Sequence, residues 1–433
     1  MEEQQLLREK MFSSTEYHSD ELLNFIINYY LASKDFNGLP LYECNDEDKE
    51  RLSKFIDSGD VFILSDDECE NPFIKGFDIK IPQETQKRHL KDEDKCVVIY
   101  PTSKLLMTIK LPEGMGPYSL KLAQGSPQLQ WVYFEPKILQ NYFDDSRFLI
   151  RDHGYVGTIS PREELYNEDL EAEFIKNYGL AHKKGDKICR AVCVLLYDLA
   201  KLTPKKQHIW KGYEVAAQED FFPDADCERN LIQGLFCEYY WGFDALLLTI
   251  SYINKLCVAI GLPHMFNKEF CNEYDEIERP DGFHMLWMPT TRNYYTFLET
   301  LEKIVVNNLS INVFTHNAPY VNPVERKEKE GSLVLLDKWL TANIKFTDPT
   351  VTVKNFLKPL RQLRKERQIP AHELYEYKYN ETLWKKQIEM MWEILIVLMN
   401  IMLFLSSHPK GKSIEIPSRL IENGHISSKI SFY

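Results

Sequence analysis

The chain has no Cys-x-x-Cys pair, no glycine-rich phosphate loop and no internal repeat, and each absence removes a class of protein. Its nine cysteines stand at 44, 69, 96, 189, 193, 227, 237, 257 and 271. The nearest pair, Cys189 and Cys193, is four apart, a helical spacing, so no zinc site is expected. An odd cysteine count, with no secretory apolar region in "MEEQQLLREKMFSS", predicts reduced thiols and a cytoplasmic setting. Without a P-loop, GxGxxG, HExxH or GxSxG motif, the usual nucleotide hydrolases, dehydrogenases, zinc proteases and serine hydrolases are disfavoured. No cofactor and no metal is expected. Positive charge is also lacking, the formal net charge being −13. Any chemistry on nucleic acid would have to gather its cations locally.

What is present is core material. The 433 residues are 44% hydrophobic and 27% charged, the balance of a soluble globular protein with two or three domains. The run "MWEILIVLMNIMLFLSS", 391–407, stops short of the roughly 20 apolar residues a bilayer helix needs and contains Glu393 and Asn400. It is expected to be a buried core or interface helix, with Trp392, Leu395, Met399 and Met402 largely buried, and no membrane partner is expected.

The texture along the chain predicts an α+β protein: an N-terminal mixed α/β module, then a mainly helical C-terminal half. Residues 20–33 carry helical spacing. Between 59 and 160, short apolar runs ("DVFILSD", "FDIKIP", "KCVVIYP", "LQWVYFE", "RFLIRD") alternate with turn residues and predict strands. Helices are expected at 171–180, 188–201, 227–260 with a break, 291–308, 331–343, 352–368 and 379–407. The resulting division is 1–170, a helical connector over 171–224, and a helical domain over 225–433.

The stretch "LRKERQIPAHEL", 363–374, is the most informative. Val353, Phe356, Leu357, Leu360 and Leu363 form one apolar stripe, and continuing it by helical steps reaches Arg364 and Arg367. An arginine prolonging an apolar seam either snorkels outward or is paired in a cleft or interface. Pro370 has no N–H for the Glu366 carbonyl, so a kink or stop is expected there, aiming His372 back toward Arg367. Four pairs match an Arg, four to six residues, then His: Arg147–His153, Arg279–His284, Arg367–His372 and Arg419–His425. Of these, Arg367–His372 lies in a run of six basic residues against one acidic between 354 and 367, beside a long apolar helix.

In that setting, "GSLVLLDKWL", "FLKPLRQLRKERQIPAHEL" and an apolar helix ending "SSHPKGK" resemble the C-terminal part of bacterial proteins with a HEPN-type helical domain. The resemblance covers roughly 225–433, most clearly 331–412. It implies a metal-independent endoribonuclease acting as a homodimer on RNA, with a toxin or antiphage role; any antitoxin or phage-derived trigger is left open. Carried over, the motif arginine is Arg367, its histidine His372, and Gln368 fills the polar place after the arginine. Pro370 departs from the pattern. The chemistry suits these residue types: an imidazole moves the proton when a 2′-hydroxyl attacks the adjacent phosphate, and a guanidinium meets the charge that develops. Lys358, Arg361, Arg364 and Lys365 would draw in the RNA backbone. The alternative is a non-catalytic dimerisation or interaction protein in which Arg367 and His372 are structural.

Other candidates are weaker. Asp78 and Lys80 in "GFDIKIP", with Asp66 or Asp67 upstream, have the letters of a metal-dependent nuclease core, but an alternating strand yields them too. His264, His284 and His316 read as satisfied structural histidines. The aromatics of "CEYYWGF" read as core packing rather than a base-stacking platform.

Overall fold

The computed structural model describes residues 15–432 apart from 34, 93, 166–169, 236–238, 347–349 and 373–375, with the side chains at 187, 188 and 370–372 also left out. It is an α+β protein that divides into two compact units, Met1–Arg151 with Tyr155–Leu235, and Asp152–Gly154 with Phe236–Tyr433.

The first unit begins with α1 (Glu21–Ala32), whose N-cap Asp20 accepts from the backbone of Leu22 and Leu23 and pairs with Arg51. Strand β1 (Leu39–Pro40), helix α2 (Asp46–Ser58), strand β2 (Val61–Ser65), helix α3 (Gln83–His89) and strand β3 (Val97–Pro101) follow. They form a three-stranded antiparallel sheet in the order β1-β3-β2. Ile26, Leu39, Leu52, Ile63 and Ile99 are fully buried in its core. Asn45 and Asp48 form a reciprocal capping box on α2, and Gly59 ends that helix at φ 72°, a conformation glycine adopts without a Cβ clash.

A larger sheet contains β4 (Trp131–Phe134), β5 (Phe148–Asp152), β6 (Val156–Pro161), β7 (Asn177–Lys183) and β8 (Asp186–Leu195), in the order β4-β8-β7-β6-β5. The short β9 (Phe221–Pro223) pairs with β7. The expected helical connector over 171–224 is therefore corrected: most of 177–195 is the centre of this sheet. Leu180 stands opposite Val192 and Ala181 opposite Ala191, all buried. A strand covered on both faces reads as a continuous apolar run, which periodicity cannot separate from a buried helix. The expected strand at "FDIKIP" is irregular backbone instead.

The second unit is helical: α4 (Gly242–Ile260), α5 (Thr291–Val305), α6 (Ser332–Asn343), α7 (Lys358–His372) and α8 (Thr382–Ser407). Helix α4 packs on α8, and α5 on α7. By length and composition α4 and α8 could each cross a bilayer, but 83% and 61% of their most apolar stretches are buried. Each covers the other's apolar surface, as core helices do. Leu395, Met399 and Met402 are fully buried; Trp392 departs from expectation at 37% exposure, its ring set edge-on to Phe432. Trp241 and Phe243, from the aromatic run, stack in the core beside Phe432.

Two buried amides hold the segment between α4 and α5. Asn254 exchanges two 2.9 Å hydrogen bonds with the Phe266 backbone, and Gln387 accepts from Leu286 N while donating to the His284 carbonyl. Arg279, on the same segment, is clamped between Asp152 and Asp244. This buried ion-pair cluster accounts for the Arg279–His284 match as structure.

Candidate functional site

Of the predicted apolar stripe, Leu357, Leu360 and Leu363 are buried, while Val353 and Phe356 are half-buried. One break interrupts the expected helix at Leu357, between Val353–Phe356 and α7. The break expected at Pro370 is absent: α7 runs through Pro370 to His372. A proline this close to a helix end forfeits one bond, to the Glu366 carbonyl, and leaves the pairing of residues on either side available.

Continuity has a geometric consequence. At about 100° per residue, positions five apart on one α-helix are separated by about 140° around its axis. Positions 367 and 372 therefore stand on different faces of one continuous helix. The side chain of His372 itself lies outside the described residues.

The Arg367 face is the seam. Across it, on α5, stands Glu302, whose side chain is only 6% exposed. Its Oε2 is 3.2 Å from Arg367 Nε, and its Oε1 is 3.9 Å from Arg364 Nε. A carboxylate buried this deeply needs cationic partners, and the two arginines supply them from the end of the leucine stripe. Glu302 was missed in the sequence, although a signal exists: it extends the stripe Tyr294, Phe297, Leu298, Leu301, where an acid is out of place.

The opposite face carries Lys358, Gln362, Lys365 and Ile369, at intervals of four, three and four, and position 372 continues it. Of the four cations expected to meet RNA, Lys358 and Lys365 are exposed and, among the described residues, unpaired. Arg361 is spent on Asp337 and the Lys354 carbonyl, and Arg364 on Glu302. Gln368 is exposed.

Beside this lysine face is a cavity of about 360 Å³, walled by Tyr294 and Tyr295 of α5, Gln362, Lys365, Glu366 and Ile369 of α7, and Leu383 and Lys386 of α8. The carboxylate of Glu366 accepts from Tyr294 Oη at 2.9 Å and from Gln362 Nε2 at 2.8 Å. Burial, then the neighbouring Glu366, pushes the Tyr294 phenol well above its ordinary pKa of 10, so it stays a donor.

The other nuclease candidate does not assemble. Asp78 and Lys80 are exposed on irregular backbone, and Asp67 pairs with Lys95. Among the described residues, no group of three or more His, Cys, Asp or Glu could hold a metal ion. In the first unit, Ser65, Glu68 and His89 form a hydrogen-bonded cluster that the sequence did not suggest. Ser65 and His89 are shut off from solvent, so the cluster offers no nucleophile to a substrate.

The chain matches no protein-family model, no curated protein and no solved structure. The likeness to HEPN proteins accordingly rests on the motif and the order of elements around it.

Proposed function

We propose that the second unit binds RNA on the lysine face of α7 and, as a homodimer, cleaves it without a metal ion. The observation that carries this reading is the alignment of Lys358 and Lys365, unpaired among the described residues, with position 372 on one helical stripe beside a cavity. The 2′-oxygen attacks phosphorus and gives up its proton to His372. The bond to the 5′-oxygen breaks, and that oxygen takes a proton, leaving a 2′,3′-cyclic phosphate and a 5′-hydroxyl. Arg367 neutralises the charge that builds on phosphorus. Because Arg367 and position 372 diverge on one helix, each site is completed across a two-fold axis, arginine from one copy and histidine from the other. The family likeness adds a HEPN-like fold for this unit, a cytoplasmic toxin or antiphage role, and regulation by the first unit.

A second reading, a non-catalytic dimerisation or interaction protein, is favoured by one observation: Glu302 already claims Arg367.

Incubation of purified protein with total RNA and tRNA, with and without EDTA, separates them. The expected result is cleavage in EDTA to cyclic phosphate ends, lost in His372→Ala and in Arg367→Lys. Mixing these two inactive variants should restore about a quarter of wild-type activity, since half the dimers would then hold one intact composite site. Cleavage that needs Mg²⁺ and survives both substitutions rejects the site; a folded dimer that cuts nothing supports the second reading.

A further inference from the structure

The cavity beside α7 holds contradictory charges, and the contradiction defines a ligand. Lys365 and Lys386 stand at its wall with no carboxylate partner among the described residues. Glu366 lines the same space, and no cation among the described residues reaches it as an ion pair; its recorded partners are two neutral donors, Tyr294 and Gln362. A carboxylate offers about four acceptor sites, two on each oxygen. Tyr294 takes one on Oε2 and Gln362 one on Oε1, so, among the described residues, each oxygen retains one.

Two free sites on adjacent oxygens fit a ligand edge with two parallel N–H donors. An arginine-like fork has that edge, but two unpaired ammonium groups repel it. The remaining solution is a neutral donor pair attached to an anion. Among the nucleobases, guanine presents such a pair, N1–H beside the 2-amino group. Ile369 and Leu383 supply apolar wall, and about 360 Å³ lies within the roughly 300–1,000 Å³ of small-ligand sites.

We infer that this cavity binds a guanine nucleotide, the base edge on Glu366 and the phosphate on Lys365 and Lys386. The inference deepens the RNA reading, on which its use as a base-specificity site rests. The ligand is either a free guanine nucleotide or a guanosine within an RNA strand.

Calorimetric titration of the full chain with GMP, IMP, AMP, CMP and UMP tests it. GMP should bind about ten-fold or more tightly than AMP, CMP and UMP. IMP, which keeps N1–H and lacks the 2-amino group, should fall between. Glu366→Gln replaces one acceptor oxygen with a donor and should erase the ranking. Replacing Lys365 and Lys386 by Ala should weaken all five by a similar factor and flatten the salt dependence. A six-nucleotide RNA with one guanosine, measured against GMP, separates the sources: tighter binding of the oligomer assigns the site to a strand, tighter binding of GMP to the free nucleotide. Equal affinity for all five nucleotides, or no binding at millimolar concentration, overturns the inference. Should Glu366→Gln fail to fold, the GMP–IMP–AMP ranking on the native chain still decides. GMP binding without RNA cleavage defeats the ribonuclease reading alone; RNA cleavage without base preference or GMP binding defeats this one alone.

Discussion

Glu302 and Arg367 meet across the α5–α7 seam with Oε2 3.2 Å from Nε, and their exposures are unequal, 6% for the acid and 35% for the arginine. The pair is thus asymmetric: the carboxylate depends on the guanidinium far more than the reverse.

That asymmetry orders the stability of two variants. Arg367→Ala leaves a buried carboxylate whose one remaining cation among the described residues is Arg364 at 3.9 Å, and should cost about 2–3 kcal/mol, below the 3–5 of a fully buried pair because solvent screens this one. Glu302→Gln leaves a partly hydrated arginine and should cost about 1 kcal/mol or less. Urea denaturation of both measures the order, and the reverse order would show that the arginine, not the acid, is the desolvated partner. Arg367→Lys, which keeps a charge for Glu302, is for this reason the better variant for activity.

Pro370 lies inside α7 and denies a donor to the Glu366 carbonyl. Pro370→Ala should restore that bond and stabilise the chain by about 1 kcal/mol, less than the roughly 3 of a mid-helix proline. Should the variant instead lose stability, the proline belongs to a local geometry that a regular helix end does not describe.

Helix α8 is a core element, so the protein should be recovered from the soluble fraction without detergent. Leu395→Ala should cost about 2–5 kcal/mol through the cavity it opens, and Trp392→Ala less, because that ring is partly exposed. Recovery from membranes only would overturn the assignment of α8.

His284 should contribute to the pH dependence of the second unit. Loss of hydration, the largest influence, pushes its imidazole below the ordinary 6.5. Above about pH 6.5 both folded and unfolded chains hold it neutral and it contributes no slope. As pH falls below that value the unfolded chain takes a proton that the fold resists, so stability drops on acidification. Denaturation midpoints between pH 7 and pH 5 should fall for the native chain and fall less for His284→Gln. Parallel slopes would locate the dependence elsewhere.

Much of this molecule was legible in the chain. The apolar stripe from Leu357 to Leu363 placed α7 with its buried face, and its extension placed Arg364 and Arg367 on the seam, because helical periodicity is a local property. The length of 391–407, with Glu393 and Asn400 inside it, marked α8 as core. What the chain could not disclose was every relationship that needs a second element. The strands at 177–195 read as helix because burial on both faces erases their alternation. Arg279 looked like half of a motif until Asp152 and Asp244 closed on it. Glu302 lies more than sixty residues before the arginines it holds. The cavity needs three helices to exist at all, and Glu366 is an ordinary helix acid until Tyr294 and Gln362 hold its oxygens. Local sequence set which face of each helix is apolar; packing alone decided which charges are satisfied and which remain free to meet a ligand.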